Sequence, residues 1–81
     1  MDATKHDKVA DERLAEDVLL GAKRIAEHLS SILGEPVSEN DVYYAHRMGK
    51  LPLGKYGAQL IGSKHRLGRH FEQIARGPVA A

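Results

Sequence analysis

Asn40, Tyr43, Tyr44 and Arg47 put four hydrogen-bonding side chains within one short stretch. Arginine can bond the O6 and N7 of guanine through two contacts and asparagine can do the same to adenine, each pair being worth about 1–3 kcal/mol of discrimination between bases. Lys50, Lys55 and Gln59 follow, and Lys23 and Arg24 precede. Side chains of these types hold a sugar-phosphate backbone in position without reading its sequence. The chemistry on offer is recognition of a polyanion. Bond-making is not indicated: the five histidines show no metal-ligand spacing, no Ser, His and acid grouping suggests a nucleophile, and 81 residues leave little room for a pocket. No catalytic residue, metal site or cofactor is expected, and the chain does not read as an enzyme.

Charge supports the same chemistry. From Met1 to Leu20 six acids face three bases, and from Gly21 to Asp41 four acids face two; from Val42 to Ala81 seven bases face Glu72 alone. The balances of −3, −2 and +6 are hidden in a formal net charge of +1. A positive field confined to one half is the footprint of a polyanion binder, while the near-neutral total argues against strong nonspecific binding by one copy.

The length allows one domain, and a chain this short buries only about 60% of the surface its unfolded form exposes, so the core must be small. With no cysteine there is neither a disulfide framework nor a thiolate metal site, which fits a reducing interior. No apolar run approaches the roughly 18–20 residues of a membrane span, and Met1-Asp2-Ala3-Thr4-Lys5 has no apolar signal core. The chain reads as soluble and cytoplasmic.

The elements that must position these residues follow from spacing. In residues 1–17 Val9 and Leu14 are too sparse for a firm stripe, and a flexible acidic arm is expected, frayed or weakly helical. From Val18 to Leu33 the residues Leu19, Ala22, Ile25, Ala26, Leu29, Ile32 and Leu33 recur every three or four positions, which predicts a first helix with one apolar face, closed by Gly34 and Pro36. Ser38 opens a second helix, with Asp41 three residues on in a pattern close to a capping box. Val42 and Ala45, with His46 or Met48, are expected to face the first helix, leaving Asn40, Tyr43, Tyr44 and Arg47 elsewhere. The two tyrosines are adjacent, so one is expected to pack and the other to face outward. Gly49 stops the helix and Pro52 starts a hairpin of two short strands, Leu53–Tyr56 and Gln59–Ile61, turning at Gly57. Ser63 is the expected N-cap of a last helix, Lys64–Ala75, with Leu67, Phe71 and Ile74 inward and Gly68 costing about 0.5–1 kcal/mol relative to Ala. Gly77-Pro78 ends it.

The runs Gly21-Ala22-Lys23-Arg24-Ile25-Ala26, Val42-Tyr43, Gly49-Lys50-Leu51-Pro52 and Lys55-Tyr56-Gly57, with Leu67 and Phe71, carry a family likeness. From about Leu20 to Ile74, two thirds of the chain, the sequence resembles the winged helix-turn-helix domain of the excisionase and AlpA-like branch of the MerR superfamily. The resemblance implies a mainly α fold with a small β-hairpin, a DNA-binding domain over residues 18–76 and a flexible tail over 77–81. It implies recognition-helix contacts from Ser38, Asn40, Tyr43, Tyr44 and Arg47, with Tyr44 outward and the Tyr43 hydroxyl near a phosphate. Wing and backbone contacts fall to Lys50, Lys55, Gln59, Lys23 and Arg24, and His70 takes a boundary position where relatives often place Trp. Ala58 departs from the pattern, since many relatives carry Arg beside the wing glycine, so insertion of the wing into the minor groove does not carry over. The stretch Ser30–Pro36 also lengthens the turn relative to shorter members.

The function so implied is that of a recombination directionality factor. Several copies would bind repeated sites on double-stranded DNA and bend it so that a tyrosine or serine integrase runs excision; since the sequence has no leucine-zipper heptads for a stable dimer, the copies are expected to associate head to tail on the DNA. The setting would be a bacterial nucleoid or a phage-encoded mobile element. An AlpA-like transcriptional regulator is the alternative within the class. A protein-interaction module that kept the fold and lost DNA is the alternative outside it, for which Ala58 and the acidic arm speak.

Overall fold

The computed structural model describes residues 14–77. Along it run α1 (residues 14–17), β1 (Val18–Leu20), α2 (Ala22–Leu33), α3 (Glu39–Arg47), β2 (Gly54–Tyr56), β3 (Gln59–Ser63) and α4 (Lys64–Arg76). They form an α-rich domain around one three-stranded antiparallel sheet ordered β1-β3-β2. Most of the expected acidic arm, residues 1–13, and the tail beyond Gly77 lie outside the described residues.

The first helix begins later than its periodicity predicts, because Val18–Leu20 is a strand. It pairs with β3 in the register Val18↔Ser63, Leu19↔Gly62 and Leu20↔Ile61, and buries Leu19. Three apolar residues fit either period, so the pairing decides, and Gly21 makes it possible. With φ 98° and ψ 146°, Gly21 occupies a region that a Cβ would all but close, and its N–H donates to the Leu60 carbonyl at 2.8 Å. The corner carries the chain from sheet edge to helix.

Ala22, Ile25, Ala26 and Leu29 form the buried stripe of α2 at the expected spacing. With Leu19, Val42, Leu60 and Leu67 they are the core, and Val37, Leu51, Leu53 and Phe71 pack around it. Ile32 and Leu33, expected on the inward face, are 41% and 43% exposed. The core ends one turn earlier, at Leu29, and the last turn of α2 runs past it.

The α2–α3 turn is closed from inside. The Ser30 hydroxyl donates to the Ala26 carbonyl at 2.8 Å and accepts the Val37 N–H at 2.9 Å. Ser38 then caps α3 with both halves of the box present: its Oγ accepts the Asp41 N–H at 3.1 Å, and the Asp41 carboxylate accepts the Ser38 N–H at 3.0 Å. The short aspartate reaches.

β2 and β3 form the hairpin, with Tyr56 opposite Gln59 across the two-residue turn Gly57-Ala58. Gly57 has φ 64° and no residue other than glycine has positive φ among the described residues, the sign pattern of a type II′ turn. β3 runs to Ser63, beyond the expected Ile61, because β1 pairs with its far end. Ser63 caps α4, accepting the Arg66 N–H at 3.2 Å. In α4 Leu67 is buried and Phe71 half-buried, but Ile74, expected inward, is 58% exposed. The core does not extend to the last turn of α4.

Candidate nucleic-acid interface

Asn40, Tyr43, Tyr44 and Arg47 lie at i, i+3, i+4 and i+7 of α3, so they form one stripe along the helix. Val42 is fully buried, Ala45 and His46 are half-buried, and all four stripe residues are exposed. The expectation that one tyrosine packs inward is corrected: Tyr43 is 45% and Tyr44 57% exposed. The buried face of α3 is only as wide as Val42, Ala45 and His46, so neither adjacent ring reaches the core.

The stripe sits on a firmly closed helix. Glu39 and Asp41 stand at the positive end of its dipole, His46 and Arg47 at the negative end. The Lys50 N–H closes the C-terminus on the Ala45 carbonyl at 2.8 Å. The Lys50 carbonyl in turn accepts His70 Nε2 at 2.9 Å, which places a proton on that nitrogen, and His70 stands edge-on to Phe71 at 5.2 Å between ring centres. His70 thereby fastens α4 to the connection that leaves α3. Ser38 is exposed, but its oxygen is engaged as the cap, which leaves its hydroxyl proton for any outside acceptor.

The other sequence candidates gather around β3. Lys55 pairs with Leu60, whose carbonyl holds Gly21, so Lys55 and the start of α2 stand two strand spacings apart, about 10 Å. Lys23 and Arg24 are exposed in the first turn of α2, which has no side-chain cap and no acid. Two cations at the positive end of a helix dipole repel it, a cost that an anion at this end relieves. Gln59 is exposed beside the turn. Tyr56, 68% exposed opposite Gln59, was not singled out as a site residue from sequence, although a large ring next to a hairpin turn is a signal in itself.

Among the described residues no group of His, Cys, Asp and Glu is arranged to hold a metal ion, and no helix is long and apolar enough to cross a membrane. In comparisons with known proteins, no family model, curated protein or solved structure matched the chain.

Proposed function

We propose that this chain is a sequence-specific DNA-binding accessory protein. In this reading α2 and α3 act as a helix-turn-helix and the β2–β3 hairpin as a wing. The observation that carries it is the exposed stripe Asn40, Tyr43, Tyr44 and Arg47 on a helix whose opposite face is pinned by fully buried Val42. A helix fits the major groove, and these side chains are of the kinds that bond base edges and phosphates there. Lys50, Lys55, Gln59, Lys23 and Arg24 are the proposed backbone contacts, and Ser38 a further donor at the helix entry. The family likeness favours an excisionase that binds repeated sites and bends DNA for an integrase, and the lack of zipper heptads favours head-to-tail assembly of its copies. An AlpA-like regulator of transcription would use the same surface.

One observation favours a reading outside this class. Tyr43, Tyr44 and Met48, each 45% or more exposed, put a large apolar area on α3, which would also suit a protein partner. Titration of the protein with duplex DNA, followed by NMR, separates the two. DNA binding shifts the Tyr43 and Tyr44 ring signals together with the Arg47 and Lys55 side chains; the protein-module reading requires that low-salt duplex leave all of them in place.

A further inference from the structure

We infer that α4 carries a second DNA-backbone contact, built from Arg66 and Arg69 and separate from the recognition helix and the hairpin turn. The inference rests on the DNA reading above and extends its surface to residues not among those candidates. Arg66, Arg69, His70 and Gln73 fall at i, i+3, i+4 and i+7 of α4, a continuous polar stripe on one side of the helix. With His65 and Pro52 they line a shallow groove of about 400 Å³.

The two arginines of this groove have no carboxylate paired with them among the described residues. Among the described residues the only ion pair is Arg76 with Glu72, at 3.4 Å, and Glu72 is the single acid of α4. Arg66 and Arg69 therefore face solvent without an ion-pair partner among the described residues, while Lys64, outside the groove, lies near the Asp17 carboxylate. Like charges this close on one helix repel one another, a repulsion that an anion spanning them relieves. Arginines three residues apart present two guanidinium forks, which suit a row of phosphates better than a single carboxylate does.

Placement favours duplex DNA as the occupant. The groove is walled by Pro52, two residues after the backbone candidate Lys50, and His70 binds the Lys50 carbonyl, so it continues the edge on which α3 ends. Lys55 and Gln59 stand at the turn of the hairpin, whereas α4 leaves β3 at Ser63, about 13 Å along the strand. A duplex lying along α3 would then be held near both ends of the sheet. The acidic arm is the poorer occupant, since residues 1–13 carry four acids against three bases and offer almost no net charge.

The test measures the salt dependence of binding to a random-sequence duplex for the full chain, for Arg66→Gln combined with Arg69→Gln, and for Arg76→Gln. All three changed side chains are exposed, and thermal melts confirm folding. The double variant is expected to flatten the slope of log affinity against log salt by about 1.8, two phosphates at about 0.9 each, while Arg76→Gln, already neutralised by Glu72, moves it little. A double variant with the wild-type slope overturns the inference and leaves the DNA reading standing. Wild-type slope with lost self-association in light scattering assigns the stripe to a protein contact instead, which also overturns it. Absence of binding by the wild-type chain itself sinks the DNA reading and the inference with it.

Discussion

The hydroxyl of Ser30 accepts the N–H of Val37 at 2.9 Å, joining the last turn of α2 to the residue that precedes the α3 cap. Its proton goes to the Ala26 carbonyl, so one side chain sets the length of the α2–α3 turn and hence the attitude of the α3 stripe. Ser30→Ala leaves the Val37 N–H without its partner. The expected cost is about 1 kcal/mol, the low end for an orphaned donor because the site is only partly buried. Urea unfolding checks it: the midpoint should fall with the slope unchanged.

Asp17 makes a long-range cap. Its carboxylate accepts the Ser63 hydroxyl at 2.5 Å and the His65 N–H at 2.9 Å, binding the end of α1 to the start of α4. The Ser63 bond, then the His65 N–H, hold its pKa below the ordinary 3.8 against a small opposing effect of burial, with the charges of His65 and Lys64 adding. A carboxyl lowered on folding stabilises fully above its unfolded pKa and loses that contribution as pH falls through the folded value. Asp17→Ala should therefore cost roughly 0.5–1 kcal/mol at neutral pH, the lower part of the capping range because the group is only half-buried and screened by solvent. The gap between variant and wild type should close below about pH 4 in thermal melts. A gap that persists in strong acid would show that the carboxylate charge is not its source.

Gly68 lies inside α4, where a Cβ would meet nothing within 4 Å and φ is not positive. Gly68→Ala should stabilise by about 0.5–1 kcal/mol by lowering the entropy of the unfolded chain. The corresponding rise in Tm is roughly 2–8 °C for a domain of this size.

Local chemistry made much of this fold legible from sequence. The stripe Ala22, Ile25, Ala26 and Leu29, the Ser38 cap, the turn at Gly57 and the Ser63 cap each depend on residues within a few positions of one another. What escaped was set at a distance. Val18–Leu20 is a strand because Ser63, Gly62 and Ile61 lie beside it, and Asp17 caps a helix that starts 47 residues later. Ile32, Leu33 and Ile74 obey the helical period but meet no partner, since periodicity shows which way a residue points and not where the core stops. The α3 candidates share one face; the cations of α4 entered the charge balance, but their grouping beside Pro52 needed the fold.

Reading and gripping should separate by mutation. Tyr44→Ala or Arg47→Ala, on the α3 stripe, is expected to lose discrimination between a specific and a scrambled duplex, by about 1–3 kcal/mol if Arg47 bonds a guanine. Lys55→Ala, beside the hairpin turn, should weaken both duplexes alike. Competition binding decides it, and relaxed specificity in Lys55→Ala would reverse the assignment.

The most direct test of DNA binding itself is the affinity of the wild-type chain for duplex DNA across a range of salt concentrations. If Lys23, Arg24, Lys50 and Lys55 each meet a phosphate, as proposed, about four contacts result, for which log affinity should fall against log salt with a slope near −3.6, steeper still by any share from α4. A flat response, or no binding at low salt, would contradict the account.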